Sequence, residues 1–409
     1  MMINGRFARL WAGETISQFG DRVTELALPL IAVLTLAATP AEVGLLTAAV
    51  WTPNLLGLLV GSWTDQRIHR KRILVAADLL RAAVLISLPI AYVLGIVTLA
   101  QLFVVALLSG AGQVFFMSAY QSFFVALVDR DRYIDANSRL SFSRSASYVA
   151  GPAVGGFLIQ MFTAPVAVLV DAVSFLASAL LIGRIPVEPE VVQPHAPLLA
   201  DARAGLRYVL SHRYLRASLG CVTTVNFFTF AAQALVVLYA SRTLGLPSGL
   251  IGLAFGIGAI GGLFGAGVAP RLSRRYGVGR IIVGGAVVFP ASIAVMAAAH
   301  GPHWLSATTI GLAEALSGAA VMLFDINLNA MQTAVTADNM RSRVAGVFST
   351  INYGARPLGA VVGGVLGGAI GVRPTLLIAA AGGVLCCLWL LRSPIPQVRT
   401  IDDELALAA

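Results

Sequence analysis

Residues 61–82 read GSWTDQRIHRKRILVAADLLRA. An apolar run ends at Asp65, and Arg67, His69, Arg70, Lys71 and Arg72 follow in a tight group. A second apolar run then begins and carries Asp78 and Arg81. So basic a turn between two membrane-length apolar runs does not cross a bilayer, and it fixes which side is cytoplasmic. A weaker copy, GAGVAPRLSRRYGVGRIIVGG, occupies residues 265–285, about 200 positions on. Two such loops point to a duplicated helical bundle in a membrane.

Composition agrees. The chain has 409 residues, 58% of them hydrophobic and 11% charged, with mean hydropathy +0.84. Soluble domains carry about 25% charged residues. A helical span needs about 20 apolar residues, so the length accommodates about twelve spans with their loops. The net charge of +9 sits in small clusters between apolar runs, which indicates topology and no nucleic-acid partner. Cys221, Cys386 and Cys387 lie in apolar runs and form neither a disulfide framework nor a metal spacing. His300 and His303 have no acid or cysteine beside them, so no metal and no cofactor are expected. The first apolar run contains Glu14, Asp21, Arg22 and Glu25 and is too long for a cleavable signal, so it is read as a span.

Apolar runs and Gly/Pro or polar punctuation predict helices over roughly 7–37, 41–63, 72–94, 98–128, 133–162, 165–184, 214–243, 248–271, 279–299, 303–333, 341–370 and 372–392. Loop arginines gather at one end of these spans, with Arg242 and Arg373 at the other. That places both termini in the cytoplasm and the protein in the cell membrane. Pro186, Pro189, Pro194 and Pro197 make an extended linker, and LLADARAGLRYVL after them reads as a short amphipathic helix on the cytoplasmic surface, with Leu199, Leu206 and Leu210 on one stripe. The expected organisation is a six-helix bundle over 1–184, a cytoplasmic linker over 185–213, a second bundle over 214–393 and a tail over 394–409. The fold class is all-α integral membrane, twelve transmembrane helices in two pseudo-symmetric bundles.

Several motifs resemble the major facilitator superfamily. Gly61-x-x-x-Asp65 followed by Arg70, Lys71 and Arg72 resembles its loop motif after the second helix. Gly151-Pro152-x-x-Gly155-Gly156 in the fifth span resembles the motif of its antiporters. FARLWAGETISQFGD, AADLLRA, ANSRLSFSRS and VDAVSF resemble the drug/proton antiporter branch that holds macrolide-efflux and enterobactin-exporter proteins. Ile68 and Gln66 depart from the loop motif, and the fourth span lacks the arginine that many drug antiporters carry there. The resemblance implies a cytoplasmic gate at the loop and a tight seal at the fifth span.

Chemistry-bearing residues concentrate in two spans. Glu14, Gln18, Asp21 and Glu25 fall at i, i+4, i+7 and i+11 of the first, on one stripe. An ionised side chain at mid-bilayer costs on the order of 2.5–3.5 kcal/mol, so the stripe is expected to face a cavity between helices. Asp21 and Glu25, with Glu314 and Asp325 of the tenth span, are the proton-coupling candidates. The plain alternative for Asp21 is a permanent pair with Arg22 or another helix. Gln18, Gln113, Phe116, Tyr120, Asn226, Phe227, Asn329 and Gln332 are substrate-cavity candidates. Gly61, Asp65, Arg70, Lys71, Asp78, Arg81, Arg144 and Arg356 are gate candidates, with Arg144 and Arg356 at equivalent places in the fifth and eleventh spans. Asp171 in the sixth span reads as structural. Gly256-x-Gly258-x-x-Gly261 lies in an apolar span without a βαβ unit and reads as helix packing.

The function expected is export of small amphipathic, drug-like compounds by proton antiport through alternating access, by a monomer in the lipid bilayer with protons and a small-molecule substrate as partners. A siderophore exporter, a lysophospholipid flippase and a non-transporting receptor of the same fold are the alternatives. An intrinsic P-loop is excluded, because the sole lysine, Lys71, follows Arg70 and not glycine. No HExxH or GxSxG motif suggests an enzyme.

Overall fold

A computed structural model describes residues 5–65, 69–128, 132–186 and 198–400. The helices are α1 (Gly5–Leu30, continued by a π turn, Ile31–Thr35), α2 (Pro40–Thr64), α3 (Arg70–Val93), α4 (Leu99–Leu127), α5 (Tyr133–Phe162), α6 (Ala164–Gly183), α7 (Leu198–Ser211), α8 (Arg213–Thr243), α9 (Ser248–Tyr276), α10 (Val278–Ala297), α11 (His303–Val335), α12 (Arg341–Ile370) and α13 (Val372–Leu391). No strand occurs among the described residues. Among the described residues nine helices are long and apolar enough to cross a membrane; α1, α5 and α12 match them in length but carry more polar side chains.

Two compact units form. One comprises Met1–Thr39, Leu46–His195 and Pro247–Gly256; the other comprises Pro40–Leu45, Ala196–Leu246 and Ile257–Ala409. In the first, α1 packs on α6 and α5, and α3 packs on α6 and α4. In the second, α8 packs on α13 and α12, and α10 packs on α13 and α11. The first core clusters around Phe7, Leu10, Leu74, Phe123 and Ile182, and the second around Leu215, Ile282, Phe324, Met331 and Leu390.

The units repeat one another. Helix starts recur 208 positions apart at 133 and 341, 164 and 372, 70 and 278, and 5 and 213, while α4 and α11 start at 99 and 303, four positions off that register. The π turn Ile31–Thr35 recurs as Tyr239–Thr243. The same register governs backbone geometry. Gly245 (φ 64°) and Gly371 (φ 93°) adopt positive φ, and so do their counterparts Ala37 (φ 51°) and Thr163 (φ 90°). Thr163 therefore holds a conformation that glycine alone adopts freely, at a strain of about 1–3 kcal/mol. Thr163→Gly should raise stability by a net ~1 kcal/mol after the added chain entropy of glycine, read as a higher melting temperature in detergent.

The amphipathic helix expected after the linker is present as α7, with a different buried face. Gly205 and Val209 pack inward, Gly205 against the Arg343 backbone of α12, while the Tyr208 hydroxyl accepts from the Ala337 N–H at 3.3 Å. Leu206 and Leu210, read as part of the apolar stripe, are exposed from the protein; Leu199 lies outside the described side chains. His212 joins α7 to α8 and stacks between Tyr208 and Tyr214. Burial, reinforced by the Arg213 charge, holds its imidazole below the usual range.

Candidate functional site

The first unit gathers charge where α1, α3 and α6 meet. Arg81 of α3 forms an ion pair with Asp21 of α1. Its guanidinium carbon also lies 3.8 Å from the centre of the Phe175 ring of α6. One turn back on α6, Asp171 is 1% exposed and accepts from the Thr24 hydroxyl of α1 and from Ser174. Gly20 lets α1 approach this close, since a Cβ there would stand 3.0 Å from the Asp171 Cα. Asp78 is 1% exposed, beside Arg81 and Ser178, with neither carboxylate oxygen in a well-formed hydrogen bond. The gate candidates Asp78 and Arg81 are both buried within the first unit, where Arg81 pairs with Asp21 of α1.

Other α1 residues have their own partners. Glu14 is 5% exposed and accepts from Gln18 Nε2 at 2.8 Å, while Gln18 Oε1 is buried and unpartnered. Glu25 is exposed and accepts from Arg22 at 2.5 Å. Arg22 lies across α5, its guanidinium carbon 4.2 Å from the Tyr148 ring centre. Arg144 is exposed and acts electrostatically on Glu14 and Tyr120, so it faces α1 and α4.

The α5 motif has two faces. Gly151 carries the Arg22 stem and Gly155 carries Val23, both on α1. Gly156 meets the start of α9, where a Cβ would stand 3.0 Å from the Gly252 Cα. Pro152 lies within α5 and offers its carbonyl to the same α9 surface. The repeat supplies the equivalent contact, Gly364 against Gly44, where a Cβ on Gly364 would stand 2.9 Å from the Gly44 Cα.

In the second unit Arg356 donates from Nε to Asn226 Oδ1 at 3.1 Å and lies over the Phe230 and Tyr353 rings. Asp325 feels its charge. Positions 208 apart correct one expectation: Arg144 corresponds to Asn352, and Arg356 corresponds to Tyr148. Arg22 corresponds to Phe230, so the same cation–ring contact occurs in both halves with its partners exchanged between helices. Glu314 is half-buried at Gly258 of α9, where a Cβ would stand 2.8 Å from the Glu314 Cβ.

The cavity candidates divide. Gln113, Phe227 and Gln332 are half-buried and Asn329 is exposed, with Phe227 set edge-on to Phe228. Phe116 and Tyr120, expected on a cavity wall, are 4% and 5% exposed and stack in the first core, because α4 turns that face toward α1 and α3. Among the loop residues, Lys71 donates to the carbonyls of Gly183 and Ile185 and caps the end of α6. Arg70 opens α3. At the gate candidate Gly61, no described atom outside its own helix backbone lies within 4 Å of where a Cβ would be. The Asp65 side chain lies outside the described residues. Asp171, read as structural from the sequence, is held by the Thr24 and Ser174 hydroxyls; Thr24, Ser174 and Gly112 were not singled out in the sequence.

The chain is 25% identical over 407 residues to the multidrug efflux pump Tap of Mycolicibacterium fortuitum, covering 97% of this chain and 96% of that one. It is 26% identical to the pump of the same name from Mycobacterium tuberculosis, covering 94% and 91%. Its fold is similar to that of a bacterial homologue of the iron transporter ferroportin, with TM-score 0.76 at 18% identity over 96% of this chain and 99% of that one. The nucleoside transporter NupG is similar too, with TM-score 0.72 at 14% identity over 95% and 98%. Because the sequence model of the transmembrane secretion effector family matches residues 2–407, the chain belongs to that family of major facilitator superfamily transporters and is a multi-pass membrane protein.

Proposed function

We propose that the protein exports small amphipathic, drug-like compounds by proton antiport through alternating access. It does so as a monomer in the cell membrane with both termini in the cytoplasm. The observation that carries the coupling is the charge imbalance of the first unit. Arg22 is engaged by Glu25 and Arg144 stands beside Glu14, which leaves Arg81 to face Asp21, Asp78 and Asp171. With all three acids ionised, two negative charges go uncompensated, each at on the order of 2.5–3.5 kcal/mol near mid-span. Binding protons removes that penalty, and releasing them to the other side of the membrane supplies work. The names of the Tap relatives support the efflux reading. The arginine-rich loops support the orientation.

The energetics suffice. One proton crossing ~100 mV supplies about 2.3 kcal/mol. A pH unit adds about 1.4 kcal/mol. Ideal one-proton coupling then sustains a several-hundredfold substrate gradient, on the order of 10². The test is purified protein in proteoliposomes with ethidium, a lipophilic cation, and an imposed pH gradient. Wild type should accumulate the dye, and Asp21→Asn should lose at least about tenfold of that accumulation, the equivalent of 1.4 kcal/mol of coupling. Uphill transport at the wild-type level by Asp21→Asn would remove this carboxylate from the mechanism.

A further inference from the structure

We infer that Arg81 is shared by two carboxylates, Asp21 of α1 and Asp171 of α6, and that its transfer between them past Gly112 of α4 links proton binding to the transport cycle. This rests on the proton-coupled reading above. The guanidinium is bonded to Asp21 and lies flat over Phe175, four residues along α6 from Asp171. Asp171 is within its electrostatic reach and is meanwhile held by two hydroxyls, Thr24 and Ser174. When a proton joins the Asp21 carboxylate, an O–H bond forms there and the ion pair to Arg81 loses its charge partner. The guanidinium then turns over the ring face to Asp171, and the hydroxyls give way. The reverse movement returns the ion pair to Asp21 and frees the proton. Charge is conserved at each step, and nothing is oxidised or reduced.

Gly112 is the positioning residue. A Cβ there would stand 2.6 Å from Arg81 Cγ and 3.0 Å from Cδ, so glycine alone leaves the stem its path between α3 and α4. The charged groups facing Arg81 are Glu14, Asp21 and Glu25 from α1, Asp78 from α3 and Asp171 from α6. Arg22 and Arg144 stand at the edges of this group. The α4 sequence, 99–127, contributes no acid, lysine or arginine, and its tyrosine, Tyr120, lies by Glu14. The fold does not demand these residues. At the positions 208 further on, Asp21, Asp78, Arg81, Gly112 and Asp171 become Thr229, Ala286, Phe289, Ala320 and Ala379, within helices of the same pairings.

The test uses the full chain in proteoliposomes with ethidium and two readouts, accumulation driven by a pH gradient and gradient-free dye exchange. Asp171→Asn should lower the ratio of accumulation to exchange by about tenfold, equivalent to 1.4 kcal/mol of lost coupling. Gly112→Ala, which touches no carboxylate, should lower the same ratio and guards against misfolding of the first variant. A purely structural role for either residue depresses both readouts together and leaves the ratio unmoved; that outcome overturns the inference. If wild type shows no gradient-driven accumulation, the transport reading itself falls; if wild type couples and both variants couple equally well, only the Arg81 transfer falls.

Discussion

Arg81→Gln is expected to be the most damaging single substitution in the first unit, abolishing gradient-driven ethidium accumulation and sharply reducing the yield of monodisperse protein. The substitution strips the cation from Asp21, Asp78 and Asp171 while leaving the three acids in place. Removing one partner of a buried ion pair costs about 3–5 kcal/mol, because the remaining charge is stranded. Here the stranded charge has two neighbours of its own sign, which places the effect at the upper end of that range. The double variant Asp21→Asn/Arg81→Gln should recover most of the folded yield, since neutralising both members of a buried pair is often close to neutral in stability. It should not recover transport. Size-exclusion yield and thermal unfolding in detergent read the first quantity, and the vesicle assay reads the second. Uphill transport by Arg81→Gln, or transport restored by the double variant, would show that the pair holds the fold and nothing more.

Element placement was open to the sequence because apolar run length and punctuation are local properties. The predicted span 133–162 coincides with α5, and 341–370 with α12. Which side chains meet is another matter. Asp78 and Arg81 at i, i+3 suggest each other or a neighbouring helix, and the pair that forms is of the second kind, joining Arg81 to Asp21, sixty residues earlier in the chain. That choice depends on the rotation of α1 about its axis, which Gly20 sets by admitting the α6 backbone, and on the Gly112 slot in α4. Neither shows in a periodicity. Arg144 and Arg356 look equivalent by their place in a Gly-rich helix, but the positions 208 apart separate them by one helical turn. The repeat distance was readable in principle from the glycines alone, as Gly44 and Gly252, Gly156 and Gly364 attest.

Leucine at Gly156 should rival the loss of Arg81 in its effect on transport, for a reason of backbone proximity and not charge. A Cβ at Gly156 would stand 2.5 Å from the Ser248 carbonyl oxygen and 3.0 Å from the Gly252 Cα. Both obstacles are main chain, so no rotamer change relieves the clash and α5 must part from the start of α9. Overpacking of this kind costs about 1–3 kcal/mol when side chains can yield, and more when they cannot. Gly364→Leu meets the mirror-image obstacle, with the Pro40 carbonyl oxygen at 2.8 Å and the Gly44 Cα at 2.9 Å, so its penalty should match within a factor of about three in transport rate, or 0.6 kcal/mol. Proton leak into substrate-free vesicles, followed with an entrapped pH dye, separates this lesion from the other. A parted α5–α9 contact should leak, whereas Arg81→Gln should stay tight. Equal leak in both variants, or tight vesicles with full transport after Gly156→Leu, would refute the seal. The comparison has a built-in control, because the glycine contacts exist in both halves while the counterpart of Arg81 is Phe289. Damage that appears at either copy of the glycine contact belongs to the packing both halves share; damage confined to the Arg81 side belongs to the chemistry that only the first half carries.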